Sequence, residues 1–293
     1  MSVSTVQIPG EGVTLEAHLF LPDGPGPHPA VTLACGFGGV KEGVEQFARA
    51  FRDAGFVAIV HDHRGFGGST GLRGDVNPWH QISDWRRVIS YLESRPEVDA
   101  DRIGIWGSSY AGGHTFVLAA TDRRIKAVVA QVPTVDGRAT GQRRVSGPAL
   151  VALEKLFDDD ERAQLRGEPP ATRAVVSDDP SIPAFYTDPD AIAYYTLPID
   201  GKVMDNVATL RSMRWARMYT PGQWIDQIGP TTPVMMLVAK HDHVTGTDLV
   251  LTAYERALQP KRLVLLEGGH FDPYHAQFET ASGAALEWFQ QNL

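Results

Sequence analysis

The sequence predicts an α/β chain: a mostly parallel, doubly wound sheet that carries one large helical insertion. Three observations predict it. Short apolar runs alternate with helical patterns through residues 1–133, the alternation stops over residues 134–229, and it resumes from residue 230 to residue 293. Strands that alternate with helices build βαβ units, and these pair in parallel. The core is therefore expected in two pieces, 1–133 and 230–293, with 134–229 inserted between two strands as a helical cap over the active-site end.

Each element follows from its pattern. Residues 13–21 place an apolar side chain at every odd position, the period of a half-buried strand, and are expected to pair with residues 4–8 across the turn at 10–12. Apolar runs at 30–34, 56–60, 102–106 and 125–132 read as further strands, with helices at about 42–54, 79–94 and 110–120. Beyond Pro133 no strand is evident. Helical pieces at 147–165, 189–195 and 206–219 are punctuated by prolines, and Asp188-Pro189 and Asp205-Asn206 supply helix starts. The core then resumes with strands at 233–239 and 262–266 and helices at 246–257 and about 274–291. Aromatics are frequent in the insertion, among them Phe185, Tyr186, Tyr194, Tyr195, Trp215, Tyr219 and Trp224. They favour a cap that faces a ligand, although some must form its own core.

Composition narrows the function. With 43% hydrophobic and 21% charged residues the chain has the make-up of a globular enzyme. A net charge of −8 leaves no electrostatic footprint for nucleic acid. Its one cysteine, Cys35, excludes an internal disulfide, and no Cys/His spacing resembles a zinc site. No basic segment followed by an apolar run marks a signal peptide, and nothing approaches the ~20 apolar residues of a membrane span. A cytoplasmic enzyme, with no membrane partner, is the expectation.

The chemistry concentrates at strand ends. Gly-Ser-Ser-Tyr-Ala-Gly-Gly at 107–113 follows an apolar strand and opens a helix, which is the geometry that lifts a serine clear of a sheet. Against the template G-x-S-x-G, Ala111 replaces the second glycine, and only Ser109 fits the nucleophile position. A serine needs a base, and the base needs an orienting acid. His270 follows the last strand and two glycines, and Asp242 follows the strand before it, so nucleophile, acid and base come in the order expected of such sheets. Asp248, Asp272 and Asp136 are rival acids; His241 and His243 read as loop residues. The oxyanion would be met by the backbone amides of Tyr110 and of Phe37, the latter in the turn Cys-Gly-Phe-Gly-Gly at 35–39. Such donors are worth about 2.7–4 kcal/mol each. His61 and His63 straddle Asp62 at strand spacing, but no third ligand accompanies them. With Arg64 they read as a braced turn rather than a metal site.

These motifs, with Asp-His-Arg-Gly-Phe-Gly-Gly-Ser at 62–69 and Gly-Gly-His at 268–270, resemble the α/β-hydrolase superfamily over nearly the whole chain. Ser109-Tyr110 with its small neighbours is similar to the branch of Xaa-Pro dipeptidyl-peptidase-like hydrolases and polyketide thiohydrolase or transferase-like proteins. Ala-Val-Val-Ala-Gln-Val-Pro at 127–133 resembles the second group as well. Cys35 stands where a histidine is commoner, which affects loop packing more than donor supply. The resemblance implies an α/β-hydrolase fold and acyl transfer through an acyl-serine.

The expected function is that of a serine hydrolase, with no cofactor and no metal, acting on an ester, thioester or lactone of a medium-sized, partly apolar small molecule. The alternative is an acyltransferase or cyclase in secondary metabolism that uses the same three residues. A peptidase would need an acidic anchor for the substrate amine, and Asp158-Asp-Asp-Glu161 reads instead as a solvated helix face. A non-catalytic receptor has no need of Ser109, Asp242 and His270 together. An exposed edge strand or cap would suit a homodimer.

Overall fold

Alternation in the first strands sets the edge of the sheet. In the computed structural model, which describes residues 2–199 and 204–293, Ser2–Pro9 (β1) and Thr14–Leu21 (β2) pair antiparallel with Ile8 opposite Leu15. Leu15, Ala17 and Leu19 turn inward as the period of two requires. There follow His28–Ala34 (β3), Glu45–Asp53 (α1), Val57–His61 (β4), Pro78–Glu93 (α2), Val98–Ser108 (β5), Tyr110–Thr121 (α3) and Ile125–Gln131 (β6). Asn77 starts α2, its side chain accepting from the Trp79 amide at 3.0 Å while Pro78 takes the first helical position.

Past Pro133 the chain forms Gly137–Arg144 (α4), Gly147–Leu165 (α5), Thr172–Val176 (β7), Ala184–Tyr186 (β8), Pro189–Thr196 (α6), Ala208–Thr209 (β9) and Leu210–Met218 (α7). The core returns as Val234–Ala239 (β10), Thr247–Arg256 (α8), Lys261–Leu266 (β11) and Phe278–Asn292 (α9). Eight strands form one sheet in the order β1-β2-β4-β3-β5-β6-β10-β11. From β4 to β11 every neighbouring pair is parallel.

Both faces are covered. Phe47 and Phe51 of α1 meet Phe278 and Phe289 of α9 at 5.0 and 5.4 Å between ring centroids, and Phe47 lies 4.6 Å from the Trp106 ring. Gly104, two residues away on the same face of β5, is where α9 comes closest: an added Cβ would stand 2.7 Å from Phe289. On the opposite face the buried indole of Trp85 in α2 donates to Thr32 Oγ1 at 2.8 Å, so the largest side chain there is also satisfied. Removing either tryptophan would cost about 3–5 kcal/mol.

The insertion is not purely helical, contrary to expectation. β7, β8 and β9 form a small sheet in the order β8-β7-β9. They are too short to show a period, and the prolines around them read as loop. The expected helix at 206–219 begins later, at Leu210, because Asn206 bonds instead to β7. Its side chain accepts from the Val176 amide at 2.8 Å and donates to the Val176 carbonyl at 2.9 Å. α4 was not expected either: its Arg- and Gly-rich sequence has no apolar stripe, and it starts because Asp136 accepts from the Ala139 amide at 2.9 Å.

Candidate active site

Ser109 occupies the junction of β5 and α3 with φ 57° and ψ −118°, a region that side-chain-bearing residues rarely adopt. Three backbone hydrogen bonds hold it there. Its amide donates to the Gln131 carbonyl at 2.8 Å, and its carbonyl accepts from Thr134 at 2.8 Å and Gly113 at 3.3 Å. Crowding explains the glycines on either side. A Cβ at Gly107 would stand 2.4 Å from the Ala111 carbonyl oxygen, and one at Gly36 would stand 2.7 Å from the Ser109 Cβ.

The structure brings Ser109, His270 and Asp242 together. His270 Nε2 lies 2.9 Å from Ser109 Oγ, and His270 Nδ1 lies 2.8 Å from Asp242 Oδ2. Asp242 sits in the loop after β10, where its Oδ1 accepts from the amides of Val244 and Thr245 at 2.8 and 2.9 Å. The Thr245 hydroxyl donates to Oδ2 at 2.8 Å. Burial pushes the Asp242 pKa up, but His270 and the Thr245 donors outweigh it and hold the carboxyl below its usual range. An ionised Asp242 fixes the imidazole with Nδ1–H toward itself and Nε2 free to take the serine proton.

The rival acids are occupied elsewhere. Asp136 caps α4, Asp248 pairs with Arg143 at 2.6 Å, and Asp272 accepts from the Gly269 amide at 2.6 Å. This last bond closes the turn that presents His270, and a side chain at Gly268 (φ 83°) would strike Asp272. His241 and His243 are exposed on either side of Asp242.

Tyr110 is the first residue of α3, so its amide has no acceptor within the helix and is free for a ligand. Phe37, Gly36 and Ser109 line one tight recess with His270, which places the Phe37 loop beside the serine hydroxyl. Two ties fix that loop, and neither was anticipated. Tyr195 of α6 donates its hydroxyl to the Phe37 carbonyl. Lys41, just beyond the loop, is buried with its Nζ 2.8 Å from Asp62 and 2.9 Å from Glu16, while its amide bonds Asp62 at 2.7 Å. Burial would lower the ammonium pKa, yet the surrounding carboxylates raise it. The braced turn expected at 61–64 is thus completed by Lys41, and Arg64 makes a bidentate pair with Asp84 at 2.6 Å. His61 and His63 stack edge to face at 5.0 Å. Among the described residues, no group of three or more His, Cys, Asp or Glu could hold a metal ion.

Ser109 opens on a cavity of about 360 Å³ whose wall is mostly the insertion: Leu153, Leu156, Phe185, Tyr186 and Met213 supply apolar surface. The other aromatics serve elsewhere. Tyr194 stacks on Phe271 at 4.8 Å, beside His270, and Tyr219 bonds buried His114 at 2.8 Å. Trp215 lies under Arg211 on the outside, and Trp224 packs against the core. The acidic run at 158–161 is more than a solvated face: Asp158 and Glu161 grip Arg214 of α7, each at 2.9 Å, and Asp160 accepts from the Ala171 amide at 2.7 Å.

No helix among the described residues is long and apolar enough to cross a membrane. Residues 11–185 match the sequence family described as X-Pro dipeptidyl-peptidase (S15 family). An uncharacterized 31.7 kDa protein of the traX-finO intergenic region of Escherichia coli is 31% identical over 291 residues, covering 97% of each chain. The polyketide transferase grgF of Penicillium sp. is 28% identical, covering 97% of this chain and 94% of its own. The crystal structure of the α/β-hydrolase GrgF from Penicillium sp. sh18 superimposes with a TM-score of 0.85 at 24% identity, over 100% of this chain and 99% of that one. A protein of Eupenicillium brefeldianum named as a thiohydrolase is 28% identical over 89% of this chain and 85% of its own.

Proposed function

The chain belongs to the X-Pro dipeptidyl-peptidase (S15) family and has the α/β-hydrolase fold, and from that premise we propose that it is a serine hydrolase of esters, thioesters or lactones. The observation that carries the reading is the hydrogen-bonded series Ser109–His270–Asp242, at 2.9 and 2.8 Å, opening on a partly apolar cavity of about 360 Å³. The relatives named as a thiohydrolase and a polyketide transferase support acyl chemistry on a small molecule.

In this reaction Ser109 Oγ bonds to the substrate carbonyl carbon while its proton passes to His270 Nε2. The carbonyl oxygen becomes an oxyanion facing the Tyr110 and Phe37 amides. The bond from the carbonyl carbon to the alcohol or thiol oxygen or sulfur then breaks, and the leaving group takes the proton from Nε2. Water repeats the sequence on the acyl-serine: one proton goes to His270, the acid departs, and Ser109 recovers its hydroxyl proton.

A dipeptidyl-peptidase must hold a free amino terminus, which calls for a carboxylate in the pocket. Among the described residues, those lining this cavity include no Asp or Glu. An acyl ester or thioester fits that lining better than a peptide.

The test is intact-mass analysis after treatment with a fluorophosphonate, with peptide mapping, followed by turnover of a panel of ester, thioester and lactone substrates. A single adduct on Ser109, and turnover lost in Ser109→Ala, is the expected result. Folded protein that takes no adduct, or takes it elsewhere, overturns the reading. Product analysis with a competing alcohol then tells water from another acceptor.

A further inference from the structure

The cavity beside Ser109 is apolar over most of its wall, yet Arg144, Arg173 and Arg217 also line it. None of the three has a carboxylate partner among the described residues. Of the other arginines on the same insertion, Arg143, Arg162, Arg166, Arg211 and Arg214 form ion pairs, and among the described residues only the exposed Arg138 does not. In a chain of net charge −8, acids are not scarce.

Arg144 and Arg217 are held in place without being neutralised. Arg144 lies over the Tyr186 ring at 4.9 Å and donates to the Val244 carbonyl at 2.7 Å. Arg217 donates to the Gly141 carbonyl at 2.7 Å, so tightly that a Cβ on Gly141 would stand 2.7 Å from its guanidinium. Arg173 projects from β7, half-buried, with no hydrogen-bond partner of its own among the described residues. Burial lowers its pKa, and no acidic group offsets that. Arg173 and Arg217 are partly buried while Arg144 is exposed, and charge left unpaired beside apolar walls, as at Arg173, is costly unless an anion arrives to meet it.

The recess beside His270 has room for only about 10 Å³, so the body of the substrate, leaving group included, must lie in the large cavity that Ser109 also lines. The acyl part, bonded to Ser109 in the intermediate, stays in that cavity after the leaving group departs. Resting on that serine-hydrolase reading, we propose that the acyl part of the substrate carries an anionic group, which Arg173 and Arg217 bind with Arg144 at the cavity wall. A carboxylate and a phosphate share the needed chemistry, since both accept the paired N–H donors of a guanidinium.

The experiment compares three p-nitrophenyl esters of one six-carbon chain, ending in a free carboxylate, a phosphonate or a neutral methyl ester. They are assayed with the wild type, Arg173→Gln, Arg173→Lys, Arg217→Gln and Ser109→Ala. The wild type is expected to prefer an anionic chain over the neutral one by about tenfold or more in kcat/KM, the effect of one charge-assisted hydrogen bond. The carboxylate and phosphonate arms tell which anion is meant. Arg173→Gln and Arg217→Gln should bring the ratio toward one through KM for the anionic ester, and Arg173→Lys should restore part of it. A wild type that prefers the neutral chain, or a ratio that both glutamine variants leave intact, overturns the proposal while the serine chemistry stands. Absence of turnover with all three esters counts against the serine reading instead. Calorimetric titration of adipate and inorganic phosphate then decides: saturable binding weakened in Arg173→Gln supports the anion site, and no binding overturns it.

Discussion

The Tyr195 hydroxyl donates to the Phe37 carbonyl, so the inserted segment holds the same peptide loop that carries a candidate oxyanion donor. One hydrogen bond thus links the part of the chain that lines the cavity to the part that would stabilise charge. Tyr194, the preceding residue, stacks on Phe271 next to His270, and α6 touches both sides of the candidate site.

Tyr195→Phe keeps the ring and removes only this donor. A loss of about 1 kcal/mol in stability is expected, the value of a buried hydrogen bond. Tyr195 acts through Phe37, so kcat should fall by about tenfold with KM little changed, because oxyanion donors act on the transition state. Steady-state kinetics on a good ester substrate, beside urea unfolding, separates the two effects.

Ser109→Gly should be inactive and yet more stable than the wild type. A strained non-glycine residue costs about 1–3 kcal/mol, from which glycine's extra chain entropy of about 0.5–1 kcal/mol is subtracted. Thermal unfolding of Ser109→Gly beside Ser109→Ala, which retains the Cβ and hence the strain, checks this. Equal melting temperatures would contradict it.

Acid should unfold the protein early. Burial holds His63 down to about 4, and the same desolvation keeps His61 and His114 well below their usual value. The unfolded chain takes up protons at these sites near pH 6.5 while the folded one does not, so stability is intact above that pH. It falls by up to about 1.4 kcal/mol per pH unit for each such histidine as pH drops toward 4. Urea midpoints measured from pH 7 to pH 5 should fall steeply, and less steeply in His63→Phe. A flat profile would show that the histidines charge without penalty.

Lys41→Met leaves Asp62 buried without its ammonium and is expected to cost about 3–5 kcal/mol. Adding Asp62→Asn should recover part of that loss, since no buried charge then remains. Denaturant unfolding of the two single variants and the double variant measures the coupling.

That Ser109, Asp242 and His270 would meet in a candidate site could be read from local pattern. Ser109, Asp242 and His270 each follow an apolar run, and a strand's end fixes where such a residue lies before any contact is known. The supports could not be read so, because they depend on contacts across long stretches of chain. Lys41 is distant from Glu16 in sequence, Tyr195 lies far from Phe37, and nothing in the residues around either announces the meeting. Arg144, Arg173 and Arg217 look like any surface arginines until β7, α4 and α7 bring them to one cavity. β9, two residues long, is set by its pairing with β7 and has no signature of its own.

The walls of the cavity come almost wholly from residues 134–229, while Ser109, Asp242 and His270 lie outside that stretch. Its near joint is fastened to Ser109 itself, through the Thr134 amide and the Ser109 carbonyl at 2.8 Å. In hereditary terms, taste and appetite are written in separate passages of the gene. One continuous segment, exchanged by recombination at two points, can alter which molecules are accepted without rewriting the chemistry done to them.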